Sequence, residues 1–209
     1  MLNRLADILY PNKCEIINIK NSYVYPIYKN GSSSIRAYTK LHSCKILINN
    51  QIAKINDIDV VLREPTSRFI SGINTFVWNL KRENPYLDTK TILYFAENYL
   101  FLNRHYVPQI SWLLHLSKYL NPNARLLIHN MSHISKLVET HIKPDSGEMV
   151  LADVDIERLQ GNIHNTIFLK LDQLLLELVG QKITFNEILS YIKNKDPQAF
   201  KVLTCIALD

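Results

Sequence analysis

Glycine and proline are scarce in this chain, five and eight among 209 residues, which excludes collagenous, fibrous and linker-like classes. Cysteine is scarcer. Cys14, Cys44 and Cys205 form no CxxC pair and are odd in number, so no disulfide framework is expected, and they read as reduced thiols of a cytoplasmic protein. No apolar run is long enough to span a bilayer, and MLNRLADILYPNK has too short an apolar core and no small-residue cleavage site for a signal peptide. Blocks of like charge and internal repeats are also missing, so no nucleic-acid tail is expected. The net charge of +5 suits an anionic ligand, as it suits an ordinary solvated surface. What is there is 47% hydrophobic and 21% charged, enough for one well-buried core and too short for two ordinary domains. A single domain over residues 1–209 is expected.

The stretch Tyr23 to Ile35, YVYPIYKNGSSSI, organises the reading. Tyr23, Val24, Tyr25, Ile27 and Tyr28 predict a buried strand, and helix-compatible residues begin at Ile35. Between them Gly31 tolerates positive φ, Ser32, Ser33 and Ser34 offer capping oxygens and hydroxyl donors, and Lys29 adds a mobile charge. The first amides of a helix have no intrahelical partner, so this loop predicts a cradle for a phosphate or sulfate group. A polar turn of the same composition is the plain alternative. The pattern is not a Walker A loop, because its lysine precedes the glycine.

A second stretch, VVLREPTSRFISGINT at 60–75, repeats the arrangement. Ile58 and Val60 to Leu62 predict a strand with Arg63 at its tip, Pro65 falls at a helix start, and Thr66 or Ser67 is expected as the cap. Arg63 and Ser71, eight residues apart, can reach one anion from a strand tip and a helix face, and Arg68 lies on the neighbouring turn. In parallel sheets ligands collect at the carboxyl ends of strands, so Lys29 and Arg63 should converge on a ligand with phosphates at both ends.

Together KNGSSS at 29–34 and REPTSRFIS at 63–71 resemble the sulfotransferase superfamily, the carbohydrate sulfotransferases of the chondroitin and heparan sulfate type in particular. HYVPQ at 105–109 is similar to a third stretch of that family, and the resemblance covers residues 22–180. It implies that Lys29, Asn30, Gly31, Ser32, Ser33 and Ser34 bind the 5′-phosphosulfate end of 3′-phosphoadenosine-5′-phosphosulfate (PAPS). Arg63 and Ser71, with Arg68 secondary, would bind its 3′-phosphate. It implies a sulfuryl transfer to an acceptor hydroxyl on a carbohydrate, without a metal. The general base implied is a histidine, His105 ahead of His42, and Lys29 would act on the leaving phosphate. His164-Asn165-Thr166 resembles a late motif of the family, and a helix cap fits it equally. Members of the eukaryotic branch carry a membrane anchor; the starting Met points to an unanchored bacterial or viral relative instead.

Further elements follow from periodicity: helices at 2–9, 34–41, 66–80, 91–102, 134–141, 167–178 and 185–193, and strands at 45–48 and 124–129. The last two helices are amphipathic and can pack on the sheet or form an oligomer contact. The fold class expected is α/β, P-loop-like and three-layered, with a small, mainly parallel sheet flanked by helices. Two other classes share a strand-loop-helix phosphate site. A nucleotide or sugar kinase lacks support from a Gly-Lys-Ser/Thr ending or a magnesium-binding Asp, and a non-catalytic relative would bind the nucleotide without transfer.

Overall fold

The computed structural model describes residues 13–99, 106–138, 151 and 153–207, leaving the expected helix at 2–9 and His105 outside the description, as are the side chains of His164, Asn165 and Cys205. The sheet begins with a hairpin. The β-branched run Ile16, Ile17, Ile19 forms β1 (Glu15–Ile19), which pairs antiparallel with β2 (Ser22–Tyr25). Lys20 and Asn21 join them with φ of 48° and 71°, the two-residue turn whose twist matches that of the strands. β3 (Ile46–Ile48) adds antiparallel to the outer edge of β1. On the other side β4 (Asp57–Leu62) runs parallel to β2, and β5 (Arg125–Asn130) runs parallel to β4. β6 (Lys182–Thr184) closes that edge antiparallel to β5, giving the order β3-β1-β2-β4-β5-β6.

The sheet is therefore mixed, which corrects the expectation of a mainly parallel one: only the β2–β4 and β4–β5 pairings are parallel. Two strands that periodicity passed over, β1 and the three-residue β6, supply the antiparallel pairings on either side of the parallel centre, β1 with both β2 and β3 and β6 with β5.

Helices cover both faces. α1 (Ser32–Leu41) and α5 (His133–Val138) bury Ile35, Tyr38, Ile134, Leu137 and Val138 against Ile17, Ile19, Val24 and Val61 of the strands. The opposite face, through Ile16, Tyr25, Ile58, Val60, Leu62, Leu126 and Ile128, packs on four helices. These are α4 (Gln109–Ser117), α7 (Ile163–Leu176), α8 (Phe185–Lys195) and α9 (Pro197–Ala207). α2 (Pro65–Glu83), α3 (Thr89–Tyr99) and α6 (Asp153–Gln160) share a third cluster built on Phe69, Ile73, Phe76, Ile92 and Ile156. No helix among the described residues is long and apolar enough to cross a membrane. Cys14 and Cys44 are unpaired thiols, and burial, with Glu15 beside it, pushes Cys14 up to about 12.

Candidate functional site

The three strands of the parallel centre end at one edge, with Tyr25 beside Val60 and Leu62 beside Asn130. The chain leaves β2 through a loop that is left-handed at Lys29 (φ 66°) and again at Gly31 (φ 77°), but not at Asn30 between them. Alternation of hand turns successive amides to one side, the conformation that makes anion-binding concavities of backbone. Lys29 in that conformation carries a strain of about 1–2 kcal/mol that glycine would not. Gly31 is also the N-cap of α1, whose first turn has no side-chain cap and no acidic residue. The amides of Ser32, Ser33 and Ser34 accordingly have no intrahelical acceptor, and the positive end of the helix is left uncompensated. Ser32 is buried, Ser34 half-buried and Ser33 exposed.

Arg63 follows the last residue of β4, and its Nη1 donates to the Lys29 carbonyl at 3.2 Å, so the tips of β2 and β4 meet as their register predicts. Asn30 turns inward instead. It is 1% exposed, and its Nδ2 donates to the Val61 carbonyl at 2.8 Å and to Gln109 Oε1 at 2.5 Å. Gln109 in turn grips the backbone of Arg63: its Oε1 accepts from the Arg63 amide at 2.9 Å and its Nε2 donates to the Arg63 carbonyl at 3.0 Å. One fully buried glutamine thus ties residues from 29–34, 63–71 and 105–109 into a single hydrogen-bonded group.

Two residues of the second stretch are placed differently from expectation. The cap of α2 is neither Thr66 nor Ser67 but Glu64, whose carboxylate accepts from the amides of both, with Pro65 at the first helical position. Burial would raise the Glu64 carboxyl, but those hydrogen bonds prevail and hold it below the usual carboxylate range. The N-terminus of α2 is therefore already occupied by a negative group. Arg68 points into the protein, 2% exposed, where its Nη1 lies 3.5 Å from Asp172 Oδ2 and donates to the Tyr106 carbonyl at 3.3 Å. Its charge serves an internal ion pair instead of the cradle. Ser71 is buried in the second turn of α2.

Asp172 completes that group from α7: its Oδ1 accepts from the Gln109 amide at 2.5 Å, capping α4. Burial pushes its carboxyl up to about 6, against the pull of Arg68 and of the Gln109 hydrogen bond. The sequence carries a signal for it, since Phe168, Leu171, Asp172 and Leu175 share one helix stripe and Asp172 is its only charge.

His42 lies at the far end of α1 from Gly31, eleven residues and about 16 Å along the axis, exposed and packed on the Tyr38 ring. The fold does not bring it to the cradle. Among the large aromatic side chains, Tyr106 and Trp112 are buried and Trp78 is 56% exposed with Arg82 over its ring. A cluster that sequence reasoning missed sits at the same sheet edge on the α1 and α5 face. His129 Nε2 hydrogen-bonds Asp59 Oδ1 at 2.6 Å, and the His129 and His133 rings stack with centroids 3.6 Å apart. Burial, then the neighbouring His129, hold His133 below the ordinary imidazole range. Two histidines four apart in HNMSH were the signal, obscured because the first ends a strand and the second opens a helix. Comparison with known proteins finds no family model that matches the chain, and no curated protein and no solved structure similar to it.

Proposed function

We propose that this chain transfers a sulfuryl group from PAPS to an acceptor hydroxyl, on a carbohydrate, using the loop Lys29 to Ser34 and Arg63 as its donor-binding residues, in a P-loop-like arrangement of β2, its loop and α1. The observation that carries this reading is the Gln109 group: three stretches far apart in the chain, each chosen for its resemblance to one family, meet through hydrogen bonds at one sheet edge. A strained Lys29 is a second support, because a left-handed lysine persists only where the surroundings or a function hold it.

In this reading the loop amides and the Lys29 ammonium bind the 5′-phosphate and the bridging oxygen. Ser32, Ser33 and Ser34 add hydroxyl or amide donors, and Arg63 with Ser71 holds the 3′-phosphate. The acceptor oxygen forms its bond to sulfur as the bond from sulfur to the bridging oxygen breaks. The acceptor proton passes to His105, and the charge left on the nucleotide phosphate is met by Lys29. Arg68 has no part in binding here.

Calorimetric titration with 3′-phosphoadenosine-5′-phosphate, beside ATP with magnesium, tests the donor site. Wild type should bind the bisphosphate and ignore ATP. Lys29→Ala and Arg63→Ala should each weaken binding about 10- to 100-fold, the worth of one charge-assisted hydrogen bond. Absence of bisphosphate binding, or preference for ATP with magnesium, overturns the reading and favours a kinase. Once an acceptor is in hand, His105→Ala should lower kcat by about 10²- to 10⁴-fold with bisphosphate binding retained. Undiminished turnover would remove His105 from the mechanism.

A further inference from the structure

The Asp59, His129 and His133 cluster has no part in the donor site just described, and its composition is that of a metal centre. Asp59 lies on β4 and His129 on the adjacent parallel strand, two positions further along its register, so both side chains stand on the same sheet face. The chain then turns through residues 130–132 and returns His133 at the first position of α5. That turn is pinned from within, because Asn130 Oδ1 accepts from both the Ser132 amide (3.2 Å) and the Ser132 hydroxyl (2.5 Å), and the Ile134 amide donates to the Met131 carbonyl at 3.2 Å. Those hydrogen bonds fix the turn that carries His133 back beside His129, and the rings themselves are placed by side-chain rotation.

We propose that Asp59, His129 and His133 are three protein ligands of a divalent transition-metal site, best suited to zinc, with a fourth position open to water or an anion. One ligand atom from each residue lies within 4.8 Å of the others. Tetrahedral bonds of zinc to nitrogen and oxygen set about 3.3 Å between ligand atoms, so no pair has to close by more than about 1.5 Å, and the Asp59–His129 pair, at 2.6 Å, has to open slightly; side-chain rotation supplies both. The direction of that rotation is defined. The rings are stacked within 5° of parallel, and a metal cannot lie in both ring planes at once, so one ring must turn. Asp59 holds His129 at 2.6 Å, whereas neither ring nitrogen of His133 has a hydrogen-bond partner among the described residues, so His133 is the ring that turns. On binding, the metal takes the place of the proton between Asp59 Oδ1 and His129 Nε2, and in the neutral imidazole that proton moves to Nδ1, leaving Nε2 free to ligate.

Donor chemistry selects the ion. Two imidazoles and one carboxylate suit zinc and its neighbours, while magnesium and calcium require oxygen-rich shells that this site lacks. The centre borders the cradle: Val61, the cross-strand neighbour of His129, accepts from Asn30, and Ile134, next to His133, packs against Gly31. The inference does not rest on sulfuryl transfer and stands or falls separately.

The test uses full-length protein stripped with a chelator and titrated with zinc alone, followed by calorimetry and native mass spectrometry, with cobalt as a spectroscopic substitute. One equivalent should bind, cobalt should give the strong visible bands of a tetrahedral site, and excess magnesium should compete with neither. His133→Ala, a half-buried position at a helix start, should lower zinc affinity by more than the roughly 10- to 100-fold that loss of an outer partner of a ligand brings. Failure of wild type to bind zinc, or unchanged affinity in folded His133→Ala, overturns the proposal. Should that variant unfold, proton NMR of wild type decides: zinc should shift the ring signals of two of the seven histidines, and perturbation of any pair other than His129 and His133 refutes the site.

Discussion

Arg68→Met is expected to lower stability by about 3–5 kcal/mol at neutral pH while leaving bisphosphate binding by the folded fraction unchanged, because the substitution strands a fully buried partner carboxylate and removes no ligand contact. The loss should depend on pH with a defined sign. In wild type the Asp172 carboxyl titrates near 6 in the folded protein against 3.8 for the ordinary group. Between those values the folded state holds a proton that the unfolded state has released, so the contribution of this group falls as pH rises through the window. Without Arg68 the folded carboxyl rises further, and the fall continues to higher pH. Urea denaturation at about pH 5 and about pH 7.5 should therefore show a smaller deficit for the variant at the lower pH, where Asp172 carries its proton in both proteins. Intact stability combined with lost bisphosphate affinity would return Arg68 to the donor site.

Gly31→Ala should be the most damaging change in the loop itself. Two effects act at one atom. A side chain at φ 77° costs about 1–2 kcal/mol, and the new Cβ would stand 2.0 Å from Cδ1 of the fully buried Ile134, where added volume costs about a further 1–3 kcal/mol. The double variant with Ile134→Ala separates the terms. Relief of crowding should make the two changes clearly non-additive, leaving the backbone strain and the cavity loss of the Ile134 truncation. Denaturation midpoints of the four proteins measure it, and strict additivity would show that Ile134 does not confine Gly31.

The centre of the fold was legible because its signals are local. Val60 to Leu62, the 124–129 run and the helices at 66–80 and 185–193 announce themselves through β-branched runs, 3.6-residue stripes and Asn-Pro punctuation, and each lies within a few residues of β4, β5, α2 or α8. The edges were not. β1 pairs through a Lys-Asn turn without glycine, and β6 is three residues whose identity as a strand comes only from β5 beside it. Within the candidate site, the glycine turn and the Arg63 tip were readable from residue type. The inward course of Arg68 was not, because its partner is 104 positions away on another helix and a surface arginine would leave the same mark in sequence. The Asp59 and His129 pairing escaped for a similar reason: adjacency across parallel strands is a property of register, which no single run encodes.

Gln109 reaches Asn30 across 79 positions and the Arg63 backbone across 46, and it is held by Asp172 a further 63 positions on. The loop is consequently not a portable module. A fragment ending at residue 99 would carry Lys29, Arg63 and all three serines and still lack the group that locks their backbone together. During synthesis the early strands and α1 leave the ribosome well before Gln109 does, and long before Asp172. The loop proposed as the anion cradle is then among the last features of the molecule to mature, gated by the arrival of α7 and not by the completion of its own sequence.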